Sequence, residues 1–285
     1  MSRSRLVPGA EVVTVPGRGL ALRTPEGDFL RVSAPGGRGE ATLLTRLAGL
    51  TPSPANEELT RVIAAFEDAG YLADEPEPPG WPDARRDVRL LGSPQLTEPL
   101  AAQLTALGAR PLTAEAPSAA TGPTARIPDL SEGEPAAVVW CLDGPVPEGL
   151  WDAADRLPEH GVAWLRCHRE GWQAYTEPLA AAPGDVTSAH VRGRRLAATP
   201  AHRELSAYWS GPRTSGAPIR LTAPAAALLA ALLADDLHRW ATDTPQRTGL
   251  PARRRLRRVD LRTLTVTEHP VLPVPAVAPS PKRDG

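Results

Sequence analysis

Asp87-Val88-Arg89-Leu90-Leu91-Gly92-Ser93-Pro94-Gln95-Leu96 is a short strand-forming run, one glycine, and the opening of a helix. The pattern predicts a strand over Asp87–Leu91, a tight turn at Gly92 and a helix over about Leu96–Leu107. Downstream, Ala136–Leu142 is apolar throughout, as a strand covered on both faces is. A helix is expected over Pro147–His160 and a further strand over Val162–Cys167. Strand, helix, strand, helix, strand implies an α/β core with parallel strands. Such an opening often binds nucleotides, because several glycines let the backbone approach a pyrophosphate at a helix N-terminus. Here only Gly92 is present, and Pro94 removes a backbone donor. No G-K-[ST] sequence occurs elsewhere. Cofactor binding is therefore not expected.

Upstream, Val12–Val15, Leu20–Arg23 and Phe29–Val32 read as short strands, with Pro16-Gly17 and Pro25-Glu26-Gly27-Asp28 as turns. Pro35-Gly36-Gly37 breaks the chain before a helix at Glu40–Ala48. A second helix runs over Asn56–Ala69, where Leu59, Val62, Ile63 and Phe66 fall on one face. Asn56 suits the cap, Glu57 and Glu58 the positive end, and Gly70 the stop. Three strands and two helices in this length make an α+β module of winged-helix type, assigned to residues 1–75. A Pro-rich acidic linker, 76–84, leads into the α/β domain, 85–285. Ala116–Asp129 reads as a low-complexity loop. Ala223–Thr242 reads as a helix, Val259–Val266 as a strand, and the end as a Pro-rich tail.

Formal net charge is -1, so no global field favours nucleic acid or membrane. No apolar run reaches the ~18 residues of a membrane span, and no secretion signal opens the chain; a cytoplasmic protein is the expectation. Nearly every basic residue is arginine. Arg192-Gly193-Arg194-Arg195 and Arg253-Arg254-Arg255-Leu256-Arg257-Arg258 are expected as solvated loops. Asp235-Asp236 is expected on the solvated face of its helix. Cys141 and Cys167 lie in strand-like apolar surroundings and predict buried, reduced thiols. His168 follows Cys167 on the opposite strand face, and no histidine stands at zinc spacing.

Three fragments carry a resemblance. They are Arg194-Arg195-Leu196-Ala197-Ala198, Val259-Asp260-Leu261-Arg262-Thr263-Leu264, and His269-Pro270-Val271-Leu272-Pro273-Val274-Pro275. With the order of segments, they resemble the ThiF-like leader-binding proteins that accompany YcaO cyclodehydratases in ribosomal peptide natural-product pathways, azoline and thiopeptide pathways among them. Residues Leu20–Leu72 are similar to the RiPP recognition element, and the remainder to a degenerate adenylating-enzyme (ThiF-like, Rossmann-like) fold. Family members often carry two C-x-x-C pairs that hold zinc. Here those positions fall on Ala189 and Arg192, and on Val277 and Ser280, so no metal is expected.

The resemblance implies a non-catalytic scaffold that binds a precursor peptide's leader and presents it to a YcaO-type or other modifying enzyme. The leader is expected as an added strand on Phe29, Leu30, Arg31 and Val32, against the stripe Arg61, Ala65 and Asp68 of the second helix. Arg31 and Arg61 would meet acidic leader residues. A homodimer through the α/β domain is left open. Three other functions compete: a structural subunit without leader binding, a peptide-adenylating enzyme, and a winged-helix DNA reader. Glu57, Glu58, Glu67 and Asp68 around Arg61 argue against the last, since phosphates would be repelled.

Overall fold

The computed structural model describes residues 4–33, 38–48, 57–74, 80–114, 130–131, 133–246 and 249–273. Asn56, Pro35-Gly36-Gly37, Ala116–Asp129, Val277, Ser280 and the Pro-rich tail lie outside them. The chain divides into two compact units, Met1–Pro79 and Gly80–Gly285.

In the first unit, β1 (Ser4–Leu6) pairs antiparallel with β5 (Leu72–Asp74). β2 (Glu11–Val15), β3 (Gly19–Arg23) and β4 (Phe29–Val32) form an antiparallel sheet in that order. Alternation decides its faces: Leu20 and Leu22 of β3 are buried, and Leu43 and Leu47 of α1 (Arg38–Leu47) share their core with Leu59, Ile63 and Phe66 of α2 (Glu57–Asp68). Gly70 ends α2 at φ 73°, which only glycine adopts freely, and Tyr71 N–H turns back to the Phe66 carbonyl at 2.8 Å. The sequence reading missed the β1–β5 pair, because three-residue strands carry too little alternation to register.

In the second unit a seven-stranded mixed sheet runs in the order β12-β11-β10-β9-β8-β6-β7. The strands are β6 (Asp87–Gly92), β7 (Arg110–Ala114), β8 (Ala137–Leu142), β9 (Ala163–Glu170), β10 (Gln173–Thr176), β11 (Arg255–Asp260) and β12 (Thr265–Pro270). β7, β6, β8 and β9 are parallel; β10, β11 and β12 continue antiparallel. The helices are α3 (Pro94–Ala106), α4 (Ser188–Ala197), α5 (His202–Ser210) and α6 (Ala223–Ala241). One sheet face packs Val88, Leu90, Val139, Leu165 and Cys167 against Leu100 and Leu104 of α3 and Leu229, Leu233 and Leu237 of α6. Burying each leucine stabilises the fold by roughly 1.5–3 kcal/mol. The other face packs Leu91, Val138, Trp140 and Trp164 against Trp151 and Leu157.

Five expectations need correction. Pro147–His160 is no α-helix: turns lead into a 3-10 segment at Ala154–His160, with Pro158 inside it. The strand expected at Val259–Val266 is a hairpin, β11 and β12, turned at Leu264 with φ 56°. Arg192-Gly193-Arg194-Arg195 lies in helix α4, not in a loop. Arg255 and Arg257 are buried in β11, and Asp236 is buried on α6. The three form one cluster: Arg257 reaches Asp236 through two hydrogen bonds, Arg255 through one, and both arginines lie within 3.5 Å of Glu268. A buried carboxylate needs such partners, because leaving it unpaired costs several kcal/mol. Asp235, by contrast, is half exposed and pairs with Arg239 one turn on.

Candidate functional site

The expected peptide site falls on an open edge. β4 is the last strand of its sheet, and no strand among the described residues pairs with its outer side. Thr24 N–H donates to the Asp28 carbonyl at 2.8 Å, and the register continues as Leu22↔Leu30 and Leu20↔Val32. In an antiparallel ladder, hydrogen-bonded pairs alternate. Leu30 and Val32 therefore bond to β3, while the N–H and C=O groups of Phe29 and Arg31 face outward. Leu30 and Val32 share the sheet face of buried Leu20 and Leu22; Phe29 and Arg31 share the other. Phe29 is 65% exposed and Leu30 44%, unusually open for large apolar side chains. Arg61, Ala65 and Asp68 are all exposed on α2, beside buried Ile63 and Phe66. Arg61 makes only a loose 3.9 Å ion pair to Glu57, both side chains being largely in solvent. Val32 and Val62 border one core, so strand and helix are built on the same apolar support.

The Gly92 turn has a different role from phosphate binding. In this sheet the connection after β6 goes to β7 on one side and then to β8 on the other, so the crevice between β6 and β8 is where α/β folds usually take ligands. Here it is closed. A β-carbon on Gly92 would lie 1.8 Å from the Cys141 carbonyl oxygen, and the backbone sits at φ 110°. Ser93 N–H is spent on that same carbonyl at 2.9 Å, and Leu96 N–H on Ser93 O at 2.9 Å. With Pro94 lacking a donor, little of the helix N-terminus is left for an anion.

A second cluster, missed in the sequence, lies at the carboxyl end of β9. Arg166, His168 and Glu170 alternate along one face of the strand; the first two are buried and Glu170 is nearly so. Glu170 accepts two hydrogen bonds from Arg195 of α4, at 3.0 and 2.6 Å, and one from the Trp209 indole of α5 at 2.7 Å. His168 stacks on Tyr175, its cross-strand neighbour, at 5.1 Å between centroids. Its Nε2 is 3.4 Å from Glu170 and its Nδ1 3.5 Å from Glu177. Arg166 lies 2.9 Å from Glu177 and 2.8 Å from Asp155, and also donates to the carbonyls of Pro178 and Val186. Asp155 in turn accepts from Trp164 and Ser188. Burial pushes the Glu170 carboxyl up, but the hydrogen bonds from His168 and Arg195 outweigh it and hold it well below the usual carboxylate range. Burial pushes Glu177 up, and Arg166 only partly offsets this. The signal was present as Arg166-x-His168-x-Glu170, polar residues at every second position of a buried strand.

Cys141 and Cys167 are buried neighbours across β8 and β9, and both are free. Their mutual hydrogen bond and then burial raise the Cys167 thiol well above its ordinary value, which disfavours its thiolate. Ala189 and Arg192 lie on α4, and no group of metal-ligating side chains occurs among the described residues. No helix among them is long and apolar enough to cross a membrane.

No protein-family model matches the chain, and no curated protein matches it. Solved structures do. The heterocyclase TruD superposes with a TM-score of 0.62 at 14% identity, covering 96% of this chain and 42% of that one. A heterocyclase in complex with substrate and cofactor gives 0.59 at 14%, covering 96% and 38%. MccB of E. coli, solved with succinimide, gives 0.57 at 9%, covering 98% of both chains. The chain spans about two fifths of the length of these two heterocyclases. At such identities the likeness establishes a shared fold.

Proposed function

We propose that the chain is a non-catalytic scaffold that binds the leader of a ribosomal precursor peptide and presents it to a YcaO-type or similar modifying enzyme. The observation that carries this reading is the open edge of β4, with outward backbone groups at Phe29 and Arg31 and exposed apolar side chains at Phe29 and Leu30. An extended peptide satisfies such an edge, and the exposed arginines favour an acidic one. We read the first unit as a winged-helix recognition element and the second as a degenerate adenylating-enzyme fold. Two of the fold neighbours support that context by their own descriptions, one as a heterocyclase with substrate and one as MccB with MccA. The crowded Gly92 turn supports a scaffold over an adenylating enzyme. Neither a metal nor a nucleotide is part of the proposal.

Titration of a fluorescent precursor peptide against the full chain tests it. Saturable binding is expected. Arg61→Glu should weaken it by about 1–3 kcal/mol, roughly ten- to a hundredfold, through loss of a partly desolvated charge contact. Arg194→Glu, exposed on α4, should leave it unchanged. Equal losses would indicate non-specific electrostatics, and no binding by the wild type would overturn the reading.

A further inference from the structure

The β9 cluster borders a cleft that the β4 reading does not use. Trp151, His168, Glu177, Ser188, Arg192 and Trp209 contribute to its walls. It opens near the carboxyl ends of β8 and β9, the end of a parallel sheet at which ligands characteristically bind. Its interior has room for about one water molecule. Three lining side chains keep a buried polar atom with no hydrogen-bond partner among the described residues: Trp151 Nε1, His168 Nδ1 and Glu177 Oε2, the last ion-paired with Arg166 at 2.9 Å. All three side chains are more than nine-tenths buried. Native interiors rarely leave such atoms unpaired unless a water or a ligand supplies the partner.

The chemistry of the missing group follows from these atoms. Trp151 can only donate. His168 stands between two carboxyl groups, Nε2 3.4 Å from Glu170 and Nδ1 3.5 Å from Glu177, and with the ring proton on the Glu170 side, Nδ1 and the Glu177 oxygen are left to accept. The complement is one small atom that accepts once and donates once, which is a hydroxyl. The cleft is too narrow for the body of a larger ligand, so the ligand lies across the mouth and inserts only a side-chain tip. At that border Arg192 stacks on Trp209, 5.0 Å from its ring centroid, and no carboxylate among the described residues pairs with it. A guanidinium held on an aromatic face without an anion is a ready partner for one.

We infer that this cleft is a peptide-binding site in its own right, taking a seryl or threonyl hydroxyl against Trp151 and His168 and an adjacent acidic residue on Arg192. Glu170, Arg195 and Trp209 act as positioning residues: they fix the imidazole and hold α4 and α5 on the sheet.

The probe is the capped peptide acetyl-Gly-Ser-Asp-Gly-amide, added to the full chain and followed by NMR at the Trp151 indole N–H and the His168 ring. Saturable shifts are expected at both residues, with at least tenfold weaker binding when Ala replaces Ser and several-fold weaker when Asn replaces Asp. Arg192→Gln, a surface change, should erase the Asp/Asn difference and keep the Ser/Ala difference. If Ala and Ser peptides shift both residues equally, or neither shifts them, the cleft holds water only and the proposal fails. Phe29 and Arg31 take no part in these readouts, so the outcome is separable from leader binding on β4.

Discussion

Glu170 and Glu177 flank one imidazole and titrate in opposite directions. Glu170 lies below its ordinary value because His168 and Arg195 outweigh its burial, so its stabilisation is present at neutral pH and is lost as pH falls through the carboxylate range. Glu170→Gln should cost about 3 kcal/mol at neutral pH, since Arg195 is left buried with a poor partner, and the deficit should shrink in acid. Glu177 is raised by burial, so its contribution is present below its ordinary value and is lost as pH rises through the raised one. Glu177→Gln should therefore compare better with the wild type at neutral pH than in acid, while Arg166 keeps Asp155 and two carbonyls. Urea unfolding from about pH 2 to pH 8 checks both slopes. Gly92→Ala is a steric test. Its β-carbon would meet the Cys141 carbonyl at 1.8 Å, so a loss of about 3 kcal/mol or more in the same assay is expected. A neutral result would mean that β6 and β8 approach less closely than described.

Strand β4 allows a sharper experiment than any side-chain swap, because its two sides differ. Proline is tolerated on an edge strand where the lost N–H faced outward. Arg31→Pro should leave the melting temperature nearly unchanged and weaken precursor binding at least tenfold. Leu30→Pro removes a bond to β3 and should destabilise the first unit itself. Calorimetry and peptide titration on both variants check this; full affinity in Arg31→Pro would remove β4 from the site. This strand was legible at Phe29–Val32 because turn residues bracket it, and α2 because its apolar residues keep one helical face. The buried charges were not legible by composition. In a chain whose basic residues are almost all arginine, Arg255 and Arg257 look like any surface run. Yet they alternate toward the same face as buried Val259, and Asp236 falls on the stripe of Leu229 and Leu233, so period alone would have placed them inside. Pro147–His160 misled for the opposite reason: its spacing suits a helix, but Pro158 and the packing of Trp151 and Leu157 onto the sheet favour turns and a 3-10 segment.

The whole molecule combines two units of different character. The first presents an open strand edge and an exposed helix face; the second is a mixed sheet whose β6 and β8 backbones crowd together at Gly92. Its fold is shared with TruD and MccB at identities too low for residue roles to carry over. What the second unit contributes therefore rests on its own residues, above all the β9 cluster and its cleft. The central claim, peptide recognition by strand addition, concerns backbone amides and is best measured there. In NMR-detected hydrogen exchange on the full chain, saturating precursor peptide should slow exchange at the Phe29 and Arg31 amides, which face outward. Leu30 and Val32, already bonded to β3, should change little. Saturable binding that leaves Phe29 and Arg31 exchanging as fast as in the free protein would contradict the account.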